Sequence, residues 1–148
     1  MRWQVGLGGK GNEGVAGLVA QTPNSIGYAE LIYAQQNGLA YAAVRNKAGK
    51  FVKGSAASVT AAAAGTAERM PKDFRISITD PSGAKAYPIS TYTWLLVYEK
   101  NPSDKGKIIA GFLRWMLEDG QRLAPDLGYA PLPESVKGMV AVAIETIR

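Results

Sequence analysis

The stretch Val5–Gly14, "VGLGGKGNEG", is the most distinctive segment of this chain. It contains Gly6-x-Gly8-x-x-Gly11, the spacing of a dinucleotide-binding turn, and Glu30 follows at about the distance expected for a ribose contact. A dinucleotide site also needs a full strand before the turn and an acidic residue that ends a second strand. Only Trp3 to Val5 could form the first strand, and Glu30 begins a predicted helix. We therefore interpret the loop as a helix start capped by Asn12.

Composition narrows the chemistry available to the 148 residues, of which 47% are hydrophobic. The sequence has no cysteine and no histidine, which excludes disulfides, thiol catalysis and histidine general bases. This shortage weighs against hydrolase chemistry, and an enzyme would have to work with carboxylates, lysine, tyrosine or a cofactor. The net charge is +5 without an arginine-rich run, and we predict no nucleic-acid partner. A basic cluster, namely Arg45, Lys47, Lys50 and Lys53, is expected to be the solvated edge of a hairpin.

Helical and strand patterns alternate along the sequence, which predicts an α/β protein. Predicted helices run from Asn12 to before Pro23, from Glu30 to Gln36, from Ser55 to Gly65, from Pro102 to Gly120, and over Val136–Ile147. Predicted strands are Ser25–Ala29, Ala40–Val44, Phe51–Val52, Phe74–Ile78 and Thr91–Tyr98. Turns are predicted at Lys47–Lys50 and, of type I, at Asp80–Gly83.

The segment "TYTWLLVY", Thr91–Tyr98, has the strongest β pattern of the sequence and is predicted to lie centrally in a sheet. Tyr92 and Trp94 are accordingly predicted to be core residues, although alternating aromatics could also stack on a base or a sugar. Tyr28 and Glu30 follow a short predicted strand, whose carboxyl end would face a ligand cleft in an open α/β sheet.

The protein resembles the phosphate-binding proteins of bacterial high-affinity phosphate ABC transporters, and the likeness covers nearly all of its sequence. The matching landmarks are Gly6–Asn12 followed by an acid and Gly14, Ser25–Tyr28, Tyr33-Ala34, Asn37, Leu39–Tyr41, Tyr87–Ile89, Phe112-Leu113, Trp115, Leu127–Ala130 and Leu132-Pro133.

This resemblance implies a type II periplasmic-binding-protein fold, in which two α/β lobes joined by crossover strands close on phosphate. It predicts a binding protein that is not an enzyme and that holds no metal and no cofactor. It implies that the 148 residues are the C-terminal half of such a protein. Residues 1–75 would form most of the second lobe, residues 76–100 the hinge strands, and residues 101–148 helices that pack on the first lobe. The implied location is periplasmic or at the cell surface, although the sequence shows no signal-peptide pattern.

The resemblance also implies the partners: inorganic phosphate, the membrane permease of the transporter, and either the missing N-terminal half or a second copy. The family's direct phosphate ligands match no position here. The candidate ligand-binding residues are therefore limited to the cleft side of the second lobe: Gly11, Asn12, Ser25 and Tyr28. Two alternatives stay open, an NAD- or FAD-linked oxidoreductase that uses the Gly6-x-Gly8-x-x-Gly11 loop, and a self-associating structural remnant.

Overall fold

The computed structural model describes residues 5–148 and shows a helix-rich α/β protein with a small sheet. The protein divides into two compact units between Ala42 and Ala43. Trp3 and Gln4, which were part of the first candidate strand, lie outside the described residues. Residues 5–148 contain no helix that is both long enough and apolar enough to cross a membrane.

The first unit contains helix α1 (Gly11–Gln21) and helix α2 (Leu31–Gln36). α1 ends at Gln21, shortly before Pro23. α2 ends at Gln36 and is followed by Asn37 and Gly38, where Gly38 adopts the positive φ that favours glycine after a helix. The predicted strand Ser25–Ala29 is wrong. These residues are exposed, and no neighbouring strand in the described part of the unit offers them a ladder.

The second unit begins with a hairpin of β1 (Ala43–Arg45) and β2 (Phe51–Lys53), paired antiparallel with Val44 opposite Val52. β1 starts later than the predicted strand Ala40–Val44. The tight turn predicted between the strands is present, because the N–H of Asn46 donates to Lys50 O at 2.8 Å and the N–H of Gly49 donates to Asn46 O at 2.8 Å.

Helix α3 (Ala56–Ala64) follows the hairpin and starts as predicted at Ser55. The Ser55 hydroxyl accepts from the N–H of Ser58, and the Ser58 hydroxyl accepts from the N–H of Ser55, which forms a capping box. A short 3-10 turn, Ala67–Arg69, comes next. The surroundings of α3 are packed with small side chains, including the buried residues Ala62, Ala63, Ala67 and Ala86.

The C-terminal third is helical, as predicted. It contains α4 (Lys105–Leu117), α5 (Asp119–Leu123), a 3-10 turn (Pro125–Leu127) and α6 (Glu134–Ile144). The apolar stripes of α4 and α6 meet in a small core of Ala110, Leu117 and Ile144, against which Leu113, Leu132, Val140 and Ile147 pack.

Two further strand predictions in the second unit are wrong. Phe74–Ile78 and Thr91–Tyr98 have no ladder with any described residue, and Phe74 has a positive φ of 59° that regular strands do not contain. Trp94, Leu95 and Leu96 are 45%, 58% and 97% exposed, so this stretch is not a central strand. A strand needs a paired neighbour, and a β pattern in sequence does not supply one.

The turn predicted at Asp80–Gly83 is also displaced. The hydrogen-bonded turn of this region lies further along, where the N–H of Ala86 donates to Gly83 O at 3.2 Å. Asp80 is held elsewhere, because its N–H donates to Pro88 O at 2.8 Å and its carboxylate accepts from the N–H of Lys47 at 2.9 Å. The assignment of residues 1–75, 76–100 and 101–148 to lobes and hinge stays a prediction.

Candidate functional site

The glycine loop packs tightly onto the first turn of α1. A Cβ on Gly9 would lie 2.5 Å from the backbone nitrogen of Val15 and 2.6 Å from the carbonyl carbon of Gly14, so no larger residue fits without moving backbone. Gly8 has open space around the equivalent position. Gly9 therefore fixes the loop against the helix, while Gly8 faces away from neighbours.

Asn12 does not cap α1, contrary to the sequence prediction. The residue at the N-cap is Lys10, which makes no side-chain capping bond, and Asn12 lies inside the first turn. Its Oδ1 instead accepts from the backbone N–H of Glu30 at 2.9 Å. Glu30 is the N-cap residue of α2, so Asn12 satisfies a donor at the start of the other helix. Sequence reasoning could not find this long-range contact.

A carboxylate lies beside Gly11 at the start of α1. The Oε2 of Glu13 would be 3.1 Å from a Cβ on Gly11, and its Oε1 accepts from the Tyr33 hydroxyl at 3.2 Å. Gly11 itself is exposed and has a φ of 69°. Negative charge at a helix start is stabilised by the helix dipole, and here Glu13 supplies it. A bound anion beside Gly11 would meet this carboxylate.

Residues 25–30 run back along α1 from its C-terminal end to its N-terminal end. Ser25 lies near the C-terminal end, where its hydroxyl donates to Thr22 O at 2.7 Å. Gly27 is pressed against the middle of the helix, because a Cβ there would lie 2.7 Å from Val19 Cγ2 and 3.1 Å from Val15 Cγ1. The contact between Glu30 and Asn12 closes the run at the helix start.

This path separates the four candidate residues. Gly11 and Asn12 lie at one end of α1 and Ser25 at the other, and a helix of this length spans about 16 Å. Tyr28 lies between them in sequence and is 79% exposed. The structure therefore brings Gly11 and Asn12 together with Glu30, but it does not gather Ser25 into the same group.

The start of α1 keeps some capacity for weak hydrogen bonding. The N–H groups of Gly11, Asn12 and Glu13 donate to no acceptor among the described residues, as is usual for the first turn of an uncapped helix. Such groups can contact an anion. The carboxylate of Glu13 opposes this attraction, and no Lys or Arg forms an ion pair with it in the described part of the protein.

The features that a dinucleotide site needs are not found around the loop. Within the described residues no strand precedes α1, and Glu30 begins α2 instead of ending a strand. Residues 5–148 also contain no group of three or more Asp or Glu side chains placed to hold a metal ion.

Two other groups of candidate residues lie in the second unit. The side chains of the basic cluster are all exposed, as predicted: Arg45, Lys47, Lys50 and Lys53. Tyr92 is half-buried and contacts Trp94 edge-on, with the ring centroids 6.2 Å apart, whereas Trp94 is more exposed than a core residue and its indole N–H donates to Phe74 O at 2.9 Å. Both rings contact other residues of the same polypeptide.

The Tyr92 hydroxyl is enclosed and makes no hydrogen bond with any described residue. Burial raises the pKa of Tyr92 above its usual value, and the neighbouring Thr66 hydroxyl acts in the opposite direction. Thr66 donates its own hydroxyl hydrogen to Ala63 O at 2.9 Å, so it does not donate to the Tyr92 hydroxyl.

Comparison with known proteins identifies relatives over most of the sequence. Phosphate-binding protein PstS of Xylella fastidiosa is 42% identical over 137 residues, which cover 92% of this chain and 38% of the relative. The PstS proteins of Pasteurella multocida and Methanocaldococcus jannaschii are 39% and 40% identical over 92% and 97% of this chain, and each match covers 40% of the relative. The chain thus spans about two fifths of these curated relatives, and the resemblance seen in the sequence is confirmed.

A family model described as a PBP superfamily domain matches residues 2–119. The match includes the glycine loop, both helices of the first unit, the hairpin and α4. Neither this model nor the relatives named above favour the oxidoreductase alternative. This chain therefore belongs to the PBP superfamily.

Proposed function

We propose that this chain is part of a phosphate-binding receptor for uptake by an ABC transporter. The single observation that carries the proposal is the sequence identity of 39–42% to three PstS proteins over nearly the whole of this chain. The receptor is not an enzyme, and it acts by closing around phosphate and presenting it to a membrane permease. Its location is periplasmic or at the cell surface, as for the family that the sequence resembles.

The direct phosphate ligands of this receptor lie outside these 148 residues, in the part of the relatives that they do not match. Burying a phosphate dianion requires many convergent donors and a cationic partner, because an unpaired buried charge is heavily penalised. The start of α1 offers only uncapped N–H groups beside the Glu13 carboxylate, and Ser25 lies at the far end of the helix. Gly11, Asn12 and Tyr28 then form a rim of the cleft at most.

In this proposal the fold is an incomplete type II binding protein. Residues 1–75 belong to the second lobe, 76–100 to the hinge strands and 101–148 to helices that pack on the first lobe. The exposed apolar residues of α4 support this assignment, because Ile108, Phe112 and Trp115 are 72%, 56% and 45% exposed and form a surface suited to burial. The upstream part of a relative would cover it.

Isothermal titration calorimetry with inorganic phosphate tests the proposal. The chain alone is expected to bind more weakly than about 1 mM, because a wet half-site screens each contact. Mixing it with the separately expressed upstream part of the Xylella relative should strengthen phosphate binding at least about a hundredfold. Each polypeptide alone should bind phosphate only weakly.

Sulfate serves as the matched control anion, and a titration with NADH addresses the alternative function. Micromolar phosphate binding by the 148 residues alone would show that a complete site is present and that its residues have been misidentified. A micromolar affinity for NADH would favour the oxidoreductase, and a mixture that gains no phosphate affinity would refute the receptor assignment.

A further inference from the structure

The excess positive charge of this protein is concentrated in one hairpin. From Leu31 to Ala67 the sequence contains four basic residues, which are those of the basic cluster, and no Asp or Glu. Outside this range, the remaining 13 of the 17 basic residues are nearly balanced by all 12 acidic ones. The basic cluster therefore accounts for four of the five net positive charges of the sequence.

Two of these cations share the exposed face of the hairpin with an aromatic ring. Arg45 lies directly opposite Phe51, and Lys53 is on the same face because side chains alternate along a strand. All three residues are exposed, whereas Val44 and Val52 on the other face are partly buried. The hairpin thus presents a cationic face with an aromatic ring within it.

The turn of the hairpin adds two further cations. Lys47 and Lys50 are exposed, and no ion pair joins Arg45, Lys47 or Lys50 to a carboxylate of residues 5–148. Asp80 contacts the turn, where its carboxylate accepts from the backbone N–H of Lys47. One carboxylate beside four cations leaves the surface strongly positive.

The aromatic ring on this surface borders an apolar recess. Phe51 is 74% exposed and borders a shallow groove of about 380 Å³ between β2 and α3. Three lysines, Lys50, Lys53 and Lys85, line the same groove, and the rest of its lining is mainly Val and Ala. Aromatic rings insert at the boundary between lipid headgroups and acyl chains, and nearby ammonium groups contact the headgroups.

This surface is unsuited to burial against another part of the same receptor. Lys and Arg are almost never fully buried unless they are paired. A covering segment would have to supply a carboxylate for each cation and offset the loss of hydration of every charge. Anions that remain hydrated at a surface avoid this cost.

We propose that the exposed face and turn of this hairpin dock the protein onto an anionic phospholipid bilayer. Three of the four cations of the basic cluster are Lys, which is depleted at protein–protein interfaces, where Arg is enriched. An anionic bilayer needs no matching fork geometry, and each Lys or Arg near it strengthens binding about fivefold. The contact is peripheral, and residues 5–148 contain no helix that could span a membrane.

This docking goes beyond the receptor proposal, because it requires neither phosphate nor a permease. Vesicle binding and phosphate binding are measured separately, so either proposal can fail without the other. The 148-residue protein should sediment with vesicles of equal parts phosphatidylcholine and phosphatidylglycerol at low salt. Added salt should weaken this binding, and pure phosphatidylcholine vesicles should leave the protein in solution.

Charge-reversed variants test the role of the hairpin. Lys47→Glu combined with Lys50→Glu should weaken binding to the anionic vesicles at least about tenfold. The matched control combines Lys72→Glu with Lys100→Glu, which reverses two other exposed lysines and changes the net charge equally. The control should lose less than about threefold. Circular dichroism can verify that both double variants keep the natural fold.

Single cysteines that carry an environment-sensitive dye test the insertion of residue 51, because the natural sequence has no cysteine. The dye on Phe51→Cys should shift its emission to the blue when anionic vesicles are added. Val142→Cys is the matched control, because Val142 on α6 is 71% exposed, close to the value for Phe51. Its dye should keep the emission that it has in water.

The inference is overturned by any of three results. The protein could stay in solution with anionic vesicles at low salt. The two double variants could lose binding equally, which would indicate attraction by the net charge alone. Soluble polyglutamate could compete fully for the hairpin while the dye at residue 51 shows no shift on vesicles, which would indicate an acidic protein partner instead of a bilayer.

Discussion

The backbone N–H of Glu30 donates to Asn12 Oδ1 at 2.9 Å, and this bond joins the starts of α1 and α2. The bond satisfies a backbone donor at the start of α2, whose own N-cap residue makes no side-chain capping bond. The helices of the first unit are therefore held by a contact between residues far apart in the sequence.

Replacing Asn12 with Ala is expected to lower the free energy of unfolding by about 1 kcal/mol, the usual effect of losing a helix cap. Asn12→Asp keeps the acceptor and should retain most of the stability. Urea unfolding followed by circular dichroism measures both variants. Equal stability of Asn12→Ala and the natural protein would show that water replaces the bond at no cost.

Adjacent glycines in the loop should respond differently to substitution. Gly9→Ala forces the new methyl into the backbone of Gly14 and Val15, and we expect destabilisation of about 1–3 kcal/mol. Gly8→Ala has open space and no positive φ, so it should be neutral or slightly stabilising. Thermal unfolding of the pair provides the comparison, and equal melting temperatures would contradict the packing described here.

Asn46 is the main polar junction of the second unit. It is 5% exposed, its amide donates to the carbonyl groups of Gly83, Ala84 and Ala86 at 3.0–3.1 Å, and its Oδ1 accepts from the N–H groups of Ala48 and Lys50. Asn46→Ala should cost about 2–3 kcal/mol, because the buried carbonyl group of Ala86 loses its donor.

Asn46→Asp distinguishes the two halves of this junction. It keeps the bonds to Ala48 and Lys50 but directs a buried carboxylate at the carbonyl group of Ala86, so it should be at least as destabilising as Asn46→Ala at neutral pH. Its stability should partly recover in acid, where the carboxyl group regains a proton to donate. An Asp variant as stable as the natural protein would refute the role of the amide donor.

Tyr92→Phe is expected to stabilise the protein by about 1 kcal/mol, because it removes an enclosed hydroxyl that has no hydrogen-bond partner among residues 5–148. The raised pKa of Tyr92 also makes the stability of the natural protein depend on alkaline pH. The unfolded state loses this proton near its ordinary pKa of about 10, before the folded state does, so stability falls as pH rises from there towards the higher folded pKa.

Tyr92→Phe should lack this alkaline loss of stability above pH ~10. Tyr98 is exposed, so Tyr98→Phe is the matched control and should show the same alkaline loss as the natural protein. Urea unfolding at neutral and alkaline pH measures the difference. An identical alkaline loss of stability in Tyr92→Phe and the natural protein would show that Tyr92 does not contribute.

Local signals in the sequence were sufficient for most helices and insufficient for most strands. They missed α5, because Gly120 was predicted to end a helix and instead lies inside α5. α3 follows from Ser55 and an alanine run, and α4 and α6 follow from apolar stripes, because a helix satisfies its backbone hydrogen bonds internally. Thr91–Tyr98 has the stronger pattern but no ladder, because a strand depends on residues far away in the sequence. Only the hairpin of β1 and β2, whose partners are close in sequence, was predicted with its turn.

The same distinction applies to the candidate site. Asn12 has the residue type and position of an N-cap. It accepts instead from the N–H of Glu30, because residues 25–30 return along α1 and bring Glu30 to the helix start. The separation of Ser25 from Gly11 has the same cause. Asn46 was missed, although an Asn just before a tight turn is a known signal for bonds between the side chain and the backbone.

The alanine-rich packing around α3 has a thermodynamic consequence. Among the described residues, the largest fully buried side chains are Ile78 and Thr66, and much of the remaining core consists of single methyl groups. Heat capacity of unfolding rises with the apolar area exposed, and a globular protein of this length would typically show about 2 kcal/mol/K. We expect a smaller value by differential scanning calorimetry, and hence a stability curve that is unusually flat with temperature.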